Sequence, residues 1–183
     1  RVPIPLEELK TGCHPKAPFI LAAATRYECA PIRSLVWRLK YRHEPALAKP
    51  LAALLVRYLN ALSIKDTKHS NILENVGMFG FGVSGIIVPI PLSSKRLRER
   101  GYNHAEEIAR IVAHHYNLPL VSALVKVKDT EPQAEIKEWS GRAANVAGCF
   151  AIVAADAVKG KTILLVDDVA TSGATLKEAS RTL

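Results

Sequence analysis

At 183 residues and 20.0 kDa the chain is sized for one domain with room for a small appendage. Its 49% hydrophobic and 23% charged residues are ordinary globular composition, which excludes a disordered chain or a collagen-like repeat. Twenty-five Lys and Arg against seventeen acids leave a formal charge of +8, concentrated early: residues 1–60 hold ten basic and four acidic side chains, residues 61–120 seven and five, residues 121–183 eight and eight. Such a surface draws nucleic acid or a polyphosphate equally well, and net charge does not choose between them. No apolar run approaches the ~20 residues of a bilayer span, and the start Arg1-Val2-Pro3-Ile4-Pro5 lacks the apolar core of a signal peptide. The expectation is a cytoplasmic protein with no membrane partner. Cys13, Cys29 and Cys149 form no even framework and no repeated CxxC, which fits reduced thiols. The absence of an initiator Met, and an end at Arg181-Thr182-Leu183 inside an amphipathic stretch, point to a piece of something longer.

In chain order, the Pro-rich residues 1–18 resist regular structure and read as an arm. Phe19 to Tyr27 is apolar and compact enough for a strand. Ala30-Pro31 then opens a helix with Ile32, Leu35, Val36 and Leu39 as its buried stripe. A second helix from about Pro45 places Leu47, Leu51, Leu54, Leu55, Tyr58 and Leu62 on one face, and the two helices are expected to pack as a pair. Residues 63–84, polar and then Gly-rich, read as a long connection. From Gly85 short apolar runs alternate with helices. Ile86–Ile90 reads as a buried strand, Asn103 caps a helix to about Tyr116, and Leu120–Val127 reads as another strand. A long polar excursion over 128–148 follows, then a short strand at Phe150–Val153 and the clearest strand, Thr162–Val166, before a helix from about Ala174. Continuous apolar strands alternating with helices predict an α/β fold around a parallel sheet.

The strongest chemical signal is Ile163-Leu164-Leu165-Val166-Asp167-Asp168-Val169-Ala170-Thr171-Ser172-Gly173-Ala174-Thr175. A buried strand ends in two carboxylates, and a loop of small and hydroxyl residues then enters a helix. In a parallel sheet ligands bind beyond the carboxyl ends of the strands. Backbone N–H groups and hydroxyls from Thr171 to Thr175, at a helix N-terminus, suit a phosphate, and Gly173 lets the backbone approach it. Asp167 and Asp168 only accept hydrogen bonds and repel anions, so they suit the hydroxyls of an attached sugar. The pattern therefore matches a ribose 5-phosphate.

This stretch resembles the phosphoribosyl pyrophosphate (PRPP) motif of type I phosphoribosyltransferases. The resemblance implies that Asp167 and Asp168 hold the ribose 2′ and 3′ hydroxyls and that Ala170, Thr171, Ser172, Gly173, Ala174 and Thr175 wrap the 5′-phosphate. It also implies a parallel sheet flanked by helices, carrying a hood that shapes the acceptor site. A second constellation, Val88-Pro89-Ile90-Pro91 followed by Lys95, Arg96, Arg98 and Arg100 and then Arg100-Gly101-Tyr102-Asn103, resembles the ComF family of competence-associated proteins, with His104 where that family usually has Gln. Tyr27 through Tyr41, with Leu39-Lys40, and Gln133, Arg142 and Asn145 ahead of Phe150 extend the resemblance over roughly residues 13 to 183.

A basic loop after a strand suits pyrophosphate, with Lys95 and Arg96 closest to the strand end and Arg142 reaching in from the 128–145 excursion. These three are the candidate catalytic residues, since neutralising the leaving group matters more here than a general base. The excursion resembles a loop that closes over PRPP, from which Gln133, Lys137 and Arg142 are the candidates to reach the pyrophosphate, while Trp139 either shields the site or packs under the loop. The implied cofactor is Mg²⁺ bound with PRPP; the implied partners are PRPP, an unidentified nitrogenous acceptor and, through competence, the DNA-uptake machinery or single-stranded DNA. A non-catalytic PRPP-binding regulator and a DNA-uptake adaptor are the alternative readings. Many ComF proteins begin with a four-Cys zinc ribbon, of which residues 1–18 would be a remnant. Cys13, His14 and Cys29 supply at most three ligands without ribbon spacing, so no structural zinc is expected. Cys149 reads as a core thiol, and His43, His69, His114 and His115 as solvent-exposed.

Overall fold

The computed structural model describes residues 23–65, 85–130 and 139–183. At its centre two parallel strands lie side by side, β1 (Gly85–Pro89) and β4 (Thr162–Val166), with Ile87 opposite Leu164 and Pro89 opposite Val166. The backbone at 119–121 joins the other edge of β1: Ile87 donates to the Pro119 carbonyl at 2.9 Å and Val121 donates to the Ile87 carbonyl at 2.8 Å. This is the parallel α/β sheet that continuous apolar strands call for.

Strand alternation divides the core in two. Ile86, Val88, Ile163 and Leu165 face one side, among Leu124, Val146, Cys149, Phe150 and Leu176. Ile87, Leu164 and Val166 face the other, among Leu39, Ala48, Ala52, Ile108 and Val112. The second side is covered by α1 (Ala30–Tyr41), a 3₁₀ turn (Pro45–Leu47), α2 (Ala48–Lys65) and α4 (His104–Tyr116). Helix α2 packs chiefly along α4, where Tyr116 reaches the Val56 carbonyl at 3.2 Å, while α1 meets the 3₁₀ turn. The expected pairing of α1 with α2 is thus replaced, because α4 offers the longer apolar stripe, Ile108, Ala109, Val112 and Ala113.

Four further expectations are corrected. Residues 23–27 form bends and a turn rather than strand, since Ala23 and Ala24 give a pleated surface little to pack, and the turn closes when Cys29 donates to Arg26. The strand expected at Leu120–Val127 is broken where Ala123 donates to the Val121 carbonyl at 2.9 Å; after this kink β2 (Leu124–Lys126) leaves β1 and pairs antiparallel with β3 (Phe150–Ile152). The basic segment after β1 is a helix, α3 (Ser94–Arg100), capped by the Ser93 hydroxyl and ended by Gly101 at φ 76°. The polar excursion contains α5 (Trp139–Val146), anchored by buried Val146. A short α6 (Ala155–Val158) precedes β4, and α7 (Ala174–Thr182) follows it.

Cys149 is buried as expected, and His43, His114 and His115 are exposed. The arm with Cys13 and His14, most of the Gly-rich connection, His69, Gln133 and Lys137 lie outside the described residues. Among the described residues no helix is long and apolar enough to cross a membrane.

Asn103 joins α4 to the sheet: its Oδ1 accepts from the Ala105 N–H at 3.2 Å and its Nδ2 donates to the Ile90 carbonyl at 3.0 Å. Asn103→Ala removes a cap and leaves that carbonyl short of a donor, so the expected cost is about 1–2 kcal/mol of stability. A denaturant midpoint equal to wild type would show that the cap contributes nothing.

Candidate functional site

The carboxyl ends of β1 and β4 open on the same edge of the sheet, so the residues that follow each strand meet there. After β4 come Asp167 and Asp168. The Asp168 N–H donates to Asp167 Oδ1 at 2.8 Å, which fixes the first carboxylate against the backbone of the second. Loss of water, and then the charge of Asp168, push the Asp167 carboxyl up to about 7. Asp168 is better compensated: Lys40, at the end of α1, sets its ammonium 2.9 Å from Oδ2, and the two side chains are 20% and 9% exposed.

The loop from Ala170 then passes exposed Thr171 and buried Ser172 to Gly173, whose φ of 69° a side chain would oppose. Ser172 Oγ accepts from the Ala174 N–H at 3.4 Å as α7 begins, with Thr175 half-buried in its first turn. Backbone donors at this helix start, next to two carboxylates, form a phosphate-and-sugar arrangement.

From the β1 side, α3 presents its basic residues unequally. Lys95 and Arg98 are exposed. Arg96 is half-buried and donates to the Thr130 carbonyl at 2.7 Å. Arg100 lies over the Tyr41 ring, 5.4 Å from its centroid, and its Nη1 is 3.4 Å from His104 Nδ1. Arg142 is half-buried on α5.

Three participants went unassigned in the sequence: His104, Lys126 and Lys40. His104 is fully buried, with Nδ1 3.9 Å from Asp168 Oδ2 and, among the described residues, Nε2 without a hydrogen-bond partner. Burial, only partly offset by Asp168, holds it down at about 4, so the ring is neutral. Lys126, on β2, donates to Thr130 Oγ1 at 2.7 Å; burial, with Arg96 nearby, lowers its pKa, while Asp167 works against that shift. A basic residue at an inward strand position, after inward Leu124 and outward Val125, is the signal that was available for it. For Lys40 the signal was its place four residues after buried Val36.

With this geometry in view, comparison with known proteins becomes decisive. A family model described as "Phosphoribosyl transferase domain" matches residues 98–183, which span α4, the acid pair and the phosphate-type loop. "Competence protein F" of Haemophilus influenzae is 29% identical over 155 residues, covering 84% of this chain and 62% of that protein. "Competence protein ComFC" of Bacillus subtilis is 33% identical over 98 residues, covering 54% of this chain and 38% of that protein. The chain is thus similar to ComF-type competence proteins and carries a phosphoribosyltransferase-domain match in its second half. Its sheet and flanking helices are those of a type I phosphoribosyltransferase-like fold. The chain spans less than two thirds of the length of both relatives. No solved structure matches it.

Proposed function

We propose that this chain is a ComF-type protein that binds PRPP at the shared carboxyl edge of β1 and β4 and transfers its phosphoribosyl group to a nitrogenous acceptor. The observation that carries the reading is the order of groups after β4: two adjacent carboxylates, then a hydroxyl-bearing, Gly-containing loop, then a helix N-terminus. Asp167 and Asp168 accept from the ribose hydroxyls, and the backbone and hydroxyls of Ala170 through Thr175 hold the 5′-phosphate. Lys95, Arg96 and Arg142 supply positive charge for the pyrophosphate, and Lys126, which lies near Arg96 and Asp167, is read as joining them. In the transfer, the bond from ribose carbon 1 to the pyrophosphate oxygen breaks, a bond from carbon 1 to the acceptor nitrogen forms, and that nitrogen loses its proton. Pyrophosphate departs with the electron pair, so cations around it lower the barrier directly.

Mg²⁺ fits this site as an ion that arrives with PRPP. Lys40 already compensates Asp168, and Asp167 tends toward its neutral acid, so the pair alone makes a poor cage for a dication. Arriving with PRPP, the ion would supply neutralisation of the leaving group, while Asp167 and Asp168 would remain acceptors for the sugar. Both relatives are named as competence proteins; we carry that setting over, with the DNA-uptake machinery or single-stranded DNA as the corresponding partner and the cytoplasm as the compartment.

Calorimetric titration with PRPP is expected to show binding in Mg²⁺ that weakens sharply in chelator, because the metal removes repulsion between pyrophosphate and the acid pair. Equal affinity in both would contradict the arrangement. Pyrophosphate release with a panel of nitrogenous bases tests the transfer; binding without release from any of them marks a PRPP-sensing regulator instead.

A further inference from the structure

We propose that Lys40 is a positioning residue of this pocket: reaching in from α1, it holds the Asp168 carboxylate in place and turned toward the ribose hydroxyls, which makes the seating of α1 part of ribose recognition. The inference rests on the PRPP reading above and names a residue in it that neither the motif nor the basic helix contains.

The geometry is that of a built contact. Lys40 Nζ stands 2.9 Å from Asp168 Oδ2, with only 20% of the lysine side chain exposed. Drawing an ammonium out of water is costly unless a counter-charge receives it, and a Lys that merely solubilised the helix would stay in solvent, as Arg33 and Arg38 do on the same helix. The backbone beneath it is pinned. Leu39 is fully buried, and its carbonyl accepts the Tyr102 hydroxyl at 2.6 Å, so the end of α1 is tied to the segment that leads into α4.

The other charged groups around the acid pair do not duplicate this role. His104, nearest at 3.9 Å, is neutral. Arg100 reaches His104 Nδ1 and the Tyr41 ring, and His43 faces His104. Lys126 faces Asp167, and Asp167 itself repels Asp168. Among the described residues, Lys40 is the cation in ion-pair contact with Asp168.

The test compares wild type, Lys40→Met, Lys40→Arg and Asp168→Asn by melting temperature and by PRPP calorimetry with Mg²⁺ at about pH 7.5. Lys40→Met is expected to weaken PRPP binding about tenfold. Lys40→Arg should restore most of the affinity, whereas a purely structural lysine would change the melting temperature and leave the affinity of the folded protein in place. If Lys40→Met does not fold, Lys40→Gln, a hydrogen-bond donor without charge, serves the same comparison.

Wild-type affinity in the uncharged variant, with binding lost in Asp168→Asn, would overturn this inference alone. Tighter binding in the uncharged variant would also overturn it, by showing that the ammonium competes with the sugar. Wild-type binding by Asp168→Asn, or no binding by the wild-type chain, would instead remove the pocket assignment, and this inference with it.

Discussion

Asp168→Asn is expected to weaken PRPP binding by about 1.5–3 kcal/mol, roughly tenfold to more than a hundredfold, because a charge-assisted hydrogen bond to a ribose hydroxyl becomes a neutral one. The substitution keeps the shape of the side chain, so the loss reports charge rather than packing. It also leaves the Lys40 ammonium facing an amide at the position of its present 2.9 Å partner. Asp167→Asn is expected to depend on pH. With its carboxyl pushed up to about 7, Asp167 is largely neutral at pH 6, where an amide imitates it well, and ionised at pH 8, where the full loss appears. Affinities for both variants at pH 6 and pH 8 check this, and wild-type affinity in both variants at both pH values would refute the sugar-binding role of the pair.

The same carboxylate makes a second, opposite prediction for stability. An ordinary Asp titrates near 3.9 once the chain is unfolded. The fold therefore binds this proton more tightly than the unfolded chain does. That contribution is fully present below about pH 4 and is lost as pH rises from there through about 7. Above pH 7 the protein carries a poorly hydrated charge crowded by Asp168. Asp167→Asn cannot ionise, so it should be more stable than wild type at pH 8, by on the order of 1–3 kcal/mol once the remaining solvent contact of the side chain is allowed for. The advantage should shrink toward zero near pH 4. His104 acts in the other sense: held down at about 4, it favours the fold above its unfolded value near 6.5 and loses that contribution as pH falls toward 4. Wild type should thus show a muted pH dependence between about 4 and 6.5, with the His104 component exposed in the Asp167→Asn variant. Thermal melts at pH 4.5, 6 and 8 check this, and an Asn variant less stable than wild type at pH 8 would show that the carboxylate is well accommodated.

The elements legible in the sequence are those whose signal is local. Thr162–Val166 is bounded by Gly160 and by the acid pair, and Asn103 supplies its own cap, so β4 and α4 stand where the sequence places them. The loop over 167–173, as a connection from β4 into α7, is legible for the same reason, since residue types, order and spacing are contiguous. What was illegible depends on partners distant in sequence. Nothing local to Leu120–Val127 shows that Leu120 will bridge Ile87 while Lys126 turns to Phe150. The basic stretch after β1 reads as a loop because four cations in six residues look solvated; Ser93 and Gly101, which make it a helix, are caps whose effect shows only once the backbone is placed. Lys40 and Asp168 are 128 positions apart in the chain and 2.9 Å apart in the fold, a pairing that no window along the sequence contains.

The burial of Ile87 bears on how this protein can be dissected. The family model begins at residue 98, which invites a trimmed fragment that starts at β1 and omits the helices before it. Such a fragment would keep the acid pair and the phosphate-type loop. It would also strip Leu39, Ala48, Ala52 and Leu59 from the face of the sheet that carries Ile87 and Val166, and uncover the stripe of α4. An apolar surface of that kind left open to water favours self-association over a soluble monomer. The helices ahead of the matched segment are therefore half of the fold's own interior, and a minimal working unit of this domain has to be cut ahead of α1.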